Sequence, residues 1–443
     1  MLIRKLFLLA LLLGIPAVAS AQSPISFDSL ARVIDPYFAP ELIKDIKDAL
    51  PQASYDIWGY DVGDYTGDGA NDFALAIRAR NDTRKRMTVY MFVDDEGMLR
   101  LVKQTPVDFI ELPIEVGVAI SQGNVYMTRK VKEFNWEILG YRYRDGVMMM
   151  VDKFSTMQQG NMTYENYRNY QTLEGYERYI NSADTNVVFR SDFLTTPCYN
   201  RGRDVSSGYQ ATARAAMTRY ITRGSYYWGG EGDLSLNVRS AYDKDYLYFN
   251  ISVRDDEVIP VGVNNVDTAA DRLELWLDMY SLGDRFRAGR RARDFRMKTD
   301  SNIYAMTIAL GDFVDQQPRV RLSSSNNMDD VQRNAAKTIK AVAARTDTGY
   351  TVKLRIPFLL FGFNGVPIED NDPIQFGMNV VVHDVDNPYR PEQVTTMTTS
   401  QDFDRSKPAT FGGIVLLPNT SFYGESTNIF LGDLKERLNE VGY

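Results

Sequence analysis

Short segments in which apolar and polar residues alternate recur along most of this chain, and they constrain its fold more than any other feature. Alternation with a period of two is typical of strands with one buried face. From residue 55 to 154 such runs are separated by hairpin turns, for example at Gln122-Gly123-Asn124. From residue 187 to 417 they recur with turn signals between them. The pattern predicts a mainly β protein, an antiparallel sandwich preceded by a smaller β-rich domain.

Helices are predicted in three places. Apolar residues follow helical spacing between residues 26 and 50, where prolines divide them into two short helices. The tyrosine-rich stretch 158–186 has tyrosines near helical spacing, which predicts a connecting helix or an ordered linker. A short helix is also predicted near the C-terminus. The predicted organisation is a signal peptide (1–21), an N-terminal domain (22–157), this linker or helix (158–186), the sandwich (187–418) and a C-terminal tail helix (419–443).

The N-terminus has the pattern of a secretory signal peptide. Arg4 and Lys5 precede an apolar run, and Ala19-Ser20-Ala21 supplies the small residues of a cleavage site before Gln22. The apolar run is shorter than the roughly 20 residues that a spanning helix needs. We therefore expect a protein that is secreted, periplasmic or at the cell surface, and that does not span the membrane.

Composition excludes several classes of function. The chain has 58 acidic and 50 basic residues, a net charge of −8, which argues against a nucleic-acid partner. His383 is the only histidine, so a histidine-rich zinc site is excluded and a Ser-His-Asp arrangement could form only around that residue. Cys198 is the only cysteine, so no intramolecular disulfide can form. The arginine-rich run 285–298 is typical of a solvated loop, and an anionic ligand is the alternative.

An enzymatic role has little support in the residues. A glycosidase needs two carboxylates about 5 to 9 Å apart. Acidic pairs such as Asp255 and Asp256 fall at strand ends or turns, where they need no catalytic explanation. Three roles stay open for Asp255, Asp256, Asp384 and Asp386: holding a cation, binding sugar hydroxyls, or capping turns. The sequence favours a noncatalytic protein.

A loop in the first domain has the spacing of a calcium site. Oxygen-bearing side chains alternate from residue 64 to 72, with a glycine at the sixth position and a strand directly after the loop. The predicted ligands are Asp64, Thr66, Asp68, Asp72 and the carbonyl of Ala70. The loop resembles the calcium loops of FG-GAP and VCBS repeats, which also precede a strand. The alternative is a simple turn rich in aspartate and glycine.

Seven segments of the second half resemble, in order, the carbohydrate-binding modules of family 9. They include residues 228–235, 241–248, 253–256, 271–278 and 350–357, the stretch 377–386, and the closing residues 408–417 with Phe411-Gly412-Gly413. The resemblance implies a β-sandwich that binds sugar noncatalytically, often as part of secreted glycoside hydrolases, with an aromatic pair around the sugar ring and calcium in some members.

The resemblance points to a group of candidate sugar-binding residues, which are Tyr226, Tyr227, Trp228, Trp276 and Glu274. One departure weakens this assignment: the family often has a tryptophan before the closing motif, whereas residues 395–400 are Thr-Thr-Met-Thr-Thr-Ser. Trp228 and Trp276 can also be core residues. The sequence thus leaves two functions open, a carbohydrate-binding protein and an interaction component of a bacterial envelope assembly, with a protein partner and a degenerate sugar site.

Overall fold

The computed structural model describes most of the chain. The described residues are 24–80, 87–107, 115–132, 135–144, 146–171, 175–181, 183, 187–192, 195–200, 213–262, 266–279, 303–323, 328–368, 372–401, 403–406 and 410–418. The predicted signal peptide, the predicted C-terminal helix and the arginine-rich run 285–298 lie outside them. The described chain forms two units that divide near residue 190: unit 1 precedes this point, and unit 2 follows it and also includes the start of the strand at 175–181.

The described residues before position 193 form two α-helices and a series of antiparallel strands. The helices are α1 (Phe27–Ile34) and α2 (Pro40–Ala49). The strands are β1 (Tyr55–Gly63), β2 (Asp72–Ala79), β3 (Met87–Asp94), β4 (Leu99–Val107), β5 (Glu115–Ser121), β6 (Asn124–Lys132), β7 (Asn135–Arg144), β8 (Val147–Gln159), β9 (Met162–Asn169), β10 (Gly175–Asn181) and β11 (Val187–Asp192). They form a four-stranded sheet in the order β1-β2-β3-β4 and a seven-stranded sheet in the order β11-β10-β9-β8-β7-β6-β5.

Strand β2 is buried on both faces, which explains why its sequence lacks the usual alternation. Phe73, Leu75 and Ile77 pack with residues of α1 and α2, such as Leu30. Ala74 and Ala76 pack on the other side with residues of the seven-stranded sheet. The four-stranded sheet therefore lies between the helices and the second sheet, and the two predicted N-terminal helices are present.

The structure corrects the prediction for residues 158–186. The described part of this stretch forms strands β9 and β10, with the end of β8, rather than a helix or a linker. Tyr164 and Tyr170 are buried and Tyr167 is partly buried. The spacing of three between these tyrosines resembles a helical period, but aromatic residues pack well on a pleated sheet surface. Pairing with β8 satisfies the backbone of β9 and overrides the helical spacing.

The chain after residue 193 is also mainly β. Its helix is α3 (Asp330–Ala336). Its strands are β12 (Thr195–Asn200), β13 (Ala213–Ala215), β14 (Ile221–Arg223), β15 (Leu234–Tyr242), β16 (Tyr246–Asp255), β17 (Arg272–Asp278), β18 (Ile303–Ala309), β19 (Arg319–Leu322), β20 (Lys340–Thr346), β21 (Gly349–Pro357), β22 (Ile374–Asp384), β23 (Thr395–Thr398) and β24 (Gly412–Leu417).

These strands join in one sheet that folds over a single core. The main path is β19-β18-β17-β22-β24-β12-β15-β16-β21-β20, with β13 beside β15, and β23 between β22 and β14. Alternate residues of β15, β16 and β21 share the core with those of β17, β18 and β22. The prediction of a mainly β fold, an antiparallel sandwich preceded by a smaller β-rich domain, is confirmed. Among the described residues, no helix has the length and apolar character needed to cross a bilayer.

Candidate metal centre and candidate carbohydrate site

Five aspartates from four segments of unit 2 converge where the ends of several interior strands meet. Asp233 precedes β15, Asp255 ends β16, Asp271 precedes β17, Asp384 ends β22 and Asp386 follows it. Carboxylate oxygens of Asp233, Asp384 and Asp386 lie within 4.8 Å of one another, and so do those of Asp255, Asp271 and Asp384. Antiparallel pairing brings these positions together, because it places the start of β15 beside the end of β16 and the start of β17 beside the end of β22.

Several oxygen atoms in this cluster have no hydrogen-bond donor. Asp255 Oδ2, Asp384 Oδ1 and Asp386 Oδ1 are buried without a partner, and so is the hydroxyl of Tyr350. Asp271 is held rigidly, since its two oxygens accept hydrogen bonds from the backbone N–H groups of Ile259 at 2.6 Å and Val385 at 2.8 Å. Buried polar atoms are rarely left unsatisfied. This cluster is therefore suited to a cation that several oxygen atoms coordinate.

The carboxylates of this cluster repel one another. Burial, followed by the charges of Asp255 and Asp386, raises the pKa of Asp384 to about 9. Burial also raises the pKa of Asp255 to about 6. Burial and then the charges of Asp271, Asp255 and Asp384 raise the pKa of Tyr350 well above its ordinary value. A hard divalent cation removes this repulsion, and an all-oxygen set of carboxylates and a hydroxyl fits Ca²⁺ better than a transition metal.

Of the three roles left open for the aspartates at strand ends, the geometry favours the cation. Asp255, Asp384 and Asp386 contribute oxygens to the cluster, whereas Asp256 is exposed beside it. Asp233, Asp271 and Tyr350 were not predicted as ligands. Their sequence signal is weak, because Asp233 and Asp271 are each a single residue before a strand and Tyr350 lies within β21. Only the pairing of distant strands brings them together.

A second polar cluster surrounds Trp276 on the outer face of β17. Glu274 Oε2 accepts a hydrogen bond from the Trp276 indole at 2.8 Å, and Oε1 accepts from His383 Nε2 at 2.9 Å and Arg405 Nη2 at 2.8 Å. Burial opposes ionisation of Glu274, but the hydrogen bond from His383 and the other donors outweigh it and lower its pKa to about 2. Burial lowers the pKa of His383. Glu274 is therefore an ionised carboxylate that orients three neighbouring side chains.

Trp276 is held by aromatic contacts and by a cation. Its ring meets Phe403 and Phe411 edge to face, at centroid distances of 6.0 and 6.1 Å. The guanidinium of Arg405 lies 5.8 Å from the ring centroid. Trp276 points away from the core to which Leu275 and Leu277 contribute, and it is partly exposed. Trp276 and Glu274 thus form one pre-oriented cluster, as a site for a polar ring compound requires.

The other three predicted sugar-binding residues lie together in the loop before β15 but differ in exposure. Tyr226 is 93% exposed and Tyr227 44% exposed, and their rings meet edge to face at 5.7 Å. Trp228 packs against the core of unit 2 and its indole donates to the Leu234 carbonyl at 3.0 Å. Tyr226 and Tyr227 are accessible to a ligand, while most of Trp228 serves packing.

Comparison with known proteins gives similar structures only. No family model and no curated protein matches the chain. A family 9 carbohydrate-binding module from Caldicellulosiruptor kristjanssonii in complex with cellotriose matches with 14% identity and a TM-score of 0.33, covering 53% of this chain and 96% of that one. The same type of module in complex with glucose matches with 14% identity and a TM-score of 0.34, covering 53% and 99%. At this level of similarity, membership of family 9 stays a prediction from the sequence motifs.

The predicted calcium loop of unit 1 is organised mainly by its own backbone. Asp72 is fully buried, and its oxygens accept from the N–H groups of Tyr65, Thr66 and Asp94 at 2.8 to 3.0 Å. Asp64 accepts from Gly67, Gly69 and the Thr66 hydroxyl, and Asp68 accepts from the Ala70 N–H. Within the described residues, the groups of three converging carboxylates do not include Asp64, Asp68 and Asp72. A calcium ion in this loop stays a prediction.

Proposed function

We propose that this chain is an exported, noncatalytic carbohydrate-binding protein that recognises a glycan or polysaccharide through unit 2. The observation that carries the proposal is the Trp276 cluster, in which an aromatic ring lies beside an ionised Glu274 and the Arg405 guanidinium. Sugar rings place their apolar faces on aromatic side chains, while a few oriented polar groups bind their hydroxyls. The exposed Tyr226 and Tyr227 offer a second aromatic surface.

Export is proposed from the sequence, because the predicted signal peptide lies outside the described residues. A secreted or periplasmic address, or one at the cell surface, places the protein where polysaccharides occur. A link to carbohydrate catabolism follows from the resemblance to modules attached to glycoside hydrolases, and it belongs to the same proposal.

Calcium is part of the proposal, at the aspartate cluster of unit 2. Asp233, Asp255, Asp384 and Asp386, with the Tyr350 hydroxyl, would hold the ion, while Asp271 is oriented by two backbone N–H groups. Bound calcium supplies positive charge that neutralises the cluster and links the strand ends. The loop that carries Tyr226 ends at Asp233, so the ion would also restrain this loop.

The test is retention of the full chain on immobilised polysaccharides and a glycan array, with calcium and with chelator. We expect saturable binding that falls roughly tenfold in Trp276→Ala or Tyr226→Ala. Tyr37→Ala, which removes an exposed tyrosine of unit 1, is the matched control and should bind like the parent. Absence of binding to every glycan, with a cooperative thermal transition showing an intact fold, would refute the proposal.

One observation favours the alternative function, an interaction component of an envelope assembly. Residues 395–400, where family 9 modules often have a tryptophan, are buried, and 395–398 form β23 between β22 and β14. The segment also contains no aromatic residue, so it offers no ring to a sugar. Capture of a specific envelope protein by the full chain, together with failure on all glycans, would favour this alternative.

A further inference from the structure

A partly buried arginine next to the Trp276 cluster lacks a carboxylate partner. Arg272 lies on β17, on the same face as Glu274 and Trp276, and it is paired across the strands with His383. Its Nη1 donates only to the carbonyls of Thr268 and Ala270, both at 3.4 Å. These distances are at the long end for hydrogen bonds, and a guanidinium has five N–H donors. Within the described residues Arg272 forms no ion pair, so most of its donors remain available.

Glu274, the carboxylate of the Trp276 cluster, does not pair with both Arg272 and Arg405. Both oxygens of Glu274 are already used by Trp276, His383 and Arg405. Burial lowers the pKa of Arg272, the charge of Glu274 opposes this shift, and the charge of Arg405 adds to it. Arg272 and Arg405 therefore share the charge of Glu274. The other two carboxylates that act on Arg272 are already engaged, since Asp267 pairs with Arg319 and Asp271 accepts two backbone N–H groups.

Two more arginines lie along the same face of the sheet. Arg272 lies opposite Ala309 of β18, which in turn lies opposite Arg319 of β19. In the same way, Glu274 lies opposite Thr307, which lies opposite Arg321. Residues directly opposite one another in paired strands share a face. Arg319 and Arg321 are exposed, and Arg319 pairs with Asp267. We call Arg272, Arg319, Arg321 and Arg405 the arginine face.

We propose that the arginine face binds an anionic sugar, with the carboxylate of a uronic acid or a sulfate ester on Arg272 and the sugar ring against Trp276. This inference rests on the proposed carbohydrate-binding function and names its ligand class. Guanidinium groups match the geometry of planar and tetrahedral oxyanions, forming two parallel N–H···O bonds with them. An anionic ligand would supply Arg272 with the negatively charged partner that Glu274 does not provide. It would also accept hydrogen bonds from the N–H groups of Arg272 that the chain leaves available.

Affinity electrophoresis of the full chain tests this inference, with three gel-embedded polymers in separate arms: polygalacturonate for carboxylate, dextran sulfate for sulfate, and hydroxyethylcellulose as a neutral glycan. We expect strong retardation by one or both anionic polymers. Arg272→Gln should weaken it about tenfold or more, because a charge-assisted pair is lost. Arg405→Gln should weaken it as well, which guards against a folding defect in one variant. Arg272→Lys should recover only part of the binding, since lysine keeps the charge but not the two parallel bonds.

The control is Arg239→Gln, which removes an exposed arginine on β15 of the same unit and should leave retardation unchanged. Equal loss in Arg239→Gln and Arg272→Gln would show nonspecific attraction and overturn the inference. Retardation by the neutral polymer alone would also overturn it while leaving the carbohydrate-binding function in place. Absence of retardation in all three gels by a folded protein would also overturn the inference, and the glycan array would then decide separately whether the carbohydrate-binding function stands.

Discussion

Asp152 shows how a single buried carboxylate can set the pH dependence of stability. It lies on β8, it is 2% exposed, and its Oδ2 has no hydrogen-bond partner. Burial raises its pKa to about 7, although the Tyr167 hydroxyl and the charge of Arg142 oppose the shift. For a raised pKa, the stabilising contribution is complete below the unfolded value near 4 and is lost as the pH rises through 7. This group therefore makes the fold less stable at pH 8 than at pH 5.5.

Asp152→Asn removes this charge, and we expect it to stabilise the protein at pH 8. The gain should reach a few kcal/mol, at about 1.4 kcal/mol for each pKa unit, and it should shrink at pH 5.5. Urea unfolding at both pH values measures it. Glu96→Gln, which neutralises an exposed carboxylate of unit 1, is the control and should change little. An Asp152→Asn variant that is less stable than the parent at pH 8 would show that the native carboxylate is charged and satisfied.

At the scale of an element, the loop from Asp64 to Asp72 contains aspartates with different structural roles, which its sequence pattern does not distinguish. Asp72 accepts three backbone N–H groups, including that of Asp94 on β3, so it connects the loop to the sheet. Asp68 accepts one N–H group and is exposed. We expect Asp72→Ala to cost about 2 to 4 kcal/mol of stability with or without calcium, because buried N–H groups lose their acceptor.

Asp68→Ala is the matched change, and it should cost less than about 1 kcal/mol in chelator. Urea unfolding with calcium and with chelator distinguishes the two roles. If the loop holds calcium as the sequence predicts, Asp68→Ala will also reduce the stabilisation by calcium. A small effect of Asp72→Ala in both conditions would contradict its role as the residue that organises the loop.

The aspartate cluster of unit 2 joins the ends of several strands, and calcium should therefore stabilise them together. For a ligand at 100 times its dissociation constant, the stabilisation is about 2.7 kcal/mol. We expect Asp384→Asn to abolish this gain, because Asp384 belongs to both groups of converging carboxylates. In chelator the same variant should be at least as stable as the parent, because burial and the neighbouring carboxylates raise the pKa of Asp384 to about 9 and a neutral amide does not carry that cost. Thermal unfolding measures both effects.

Asp315→Asn, at an exposed aspartate of the same unit, is the control and should keep the full response to calcium. Isothermal titration calorimetry counts the ions bound. Retention of the full calcium response by Asp384→Asn would place any bound ion elsewhere, and the loop of unit 1 would become the leading site.

The elements themselves were largely predictable, whereas their long-range pairing was not. Alternating apolar residues predicted strands such as Tyr246–Asp255 and Arg272–Asp278, because a half-buried strand requires that pattern. The tyrosines after residue 158 misled the prediction, since a spacing of three suits a helix until a neighbouring strand is available for pairing. Aspartates at positions 233, 255, 271, 384 and 386 are up to 153 residues apart in sequence. Their convergence depends on strand order, which no local pattern specifies.

The same reasoning applies to the Trp276 cluster. The resemblance to family 9 modules indicated Glu274 and Trp276, and their alternation with the buried leucines of β17 places them on the opposite face of the strand. Arg405 and His383 reach Glu274 from distant segments, and Arg272 could be placed beside them only as a residue of the same strand. The prediction of sugar-binding residues thus contained Trp276 and Glu274 and missed the arginines, on which the ligand class depends.

At the scale of the whole molecule, Cys198 offers a probe for the opening of unit 2. It is the only cysteine, it is 0% exposed, and it lies on β12 between β24 and β15. Burial raises the pKa of its thiol well above the ordinary range, so both access and ionisation oppose reaction. Labelling by a thiol reagent therefore requires the sheet to open, and its rate reports the population of the open state when reclosing is fast.

We expect native protein to react slowly, and unfolded protein to react at once with one thiol per chain. Calcium should slow native labelling about tenfold for each 1.4 kcal/mol of stabilisation, because it binds the closed sheet and not the open one. The effect should be absent in Asp384→Asn and present in Asp315→Asn. Rapid labelling of native protein would show that β12 opens independently of the core. Calorimetry could instead show calcium binding that leaves the labelling rate unchanged. The ion would then bind a part of the chain that stays folded when β12 opens, and the aspartate cluster would not contribute to the stability of the sheet around β12.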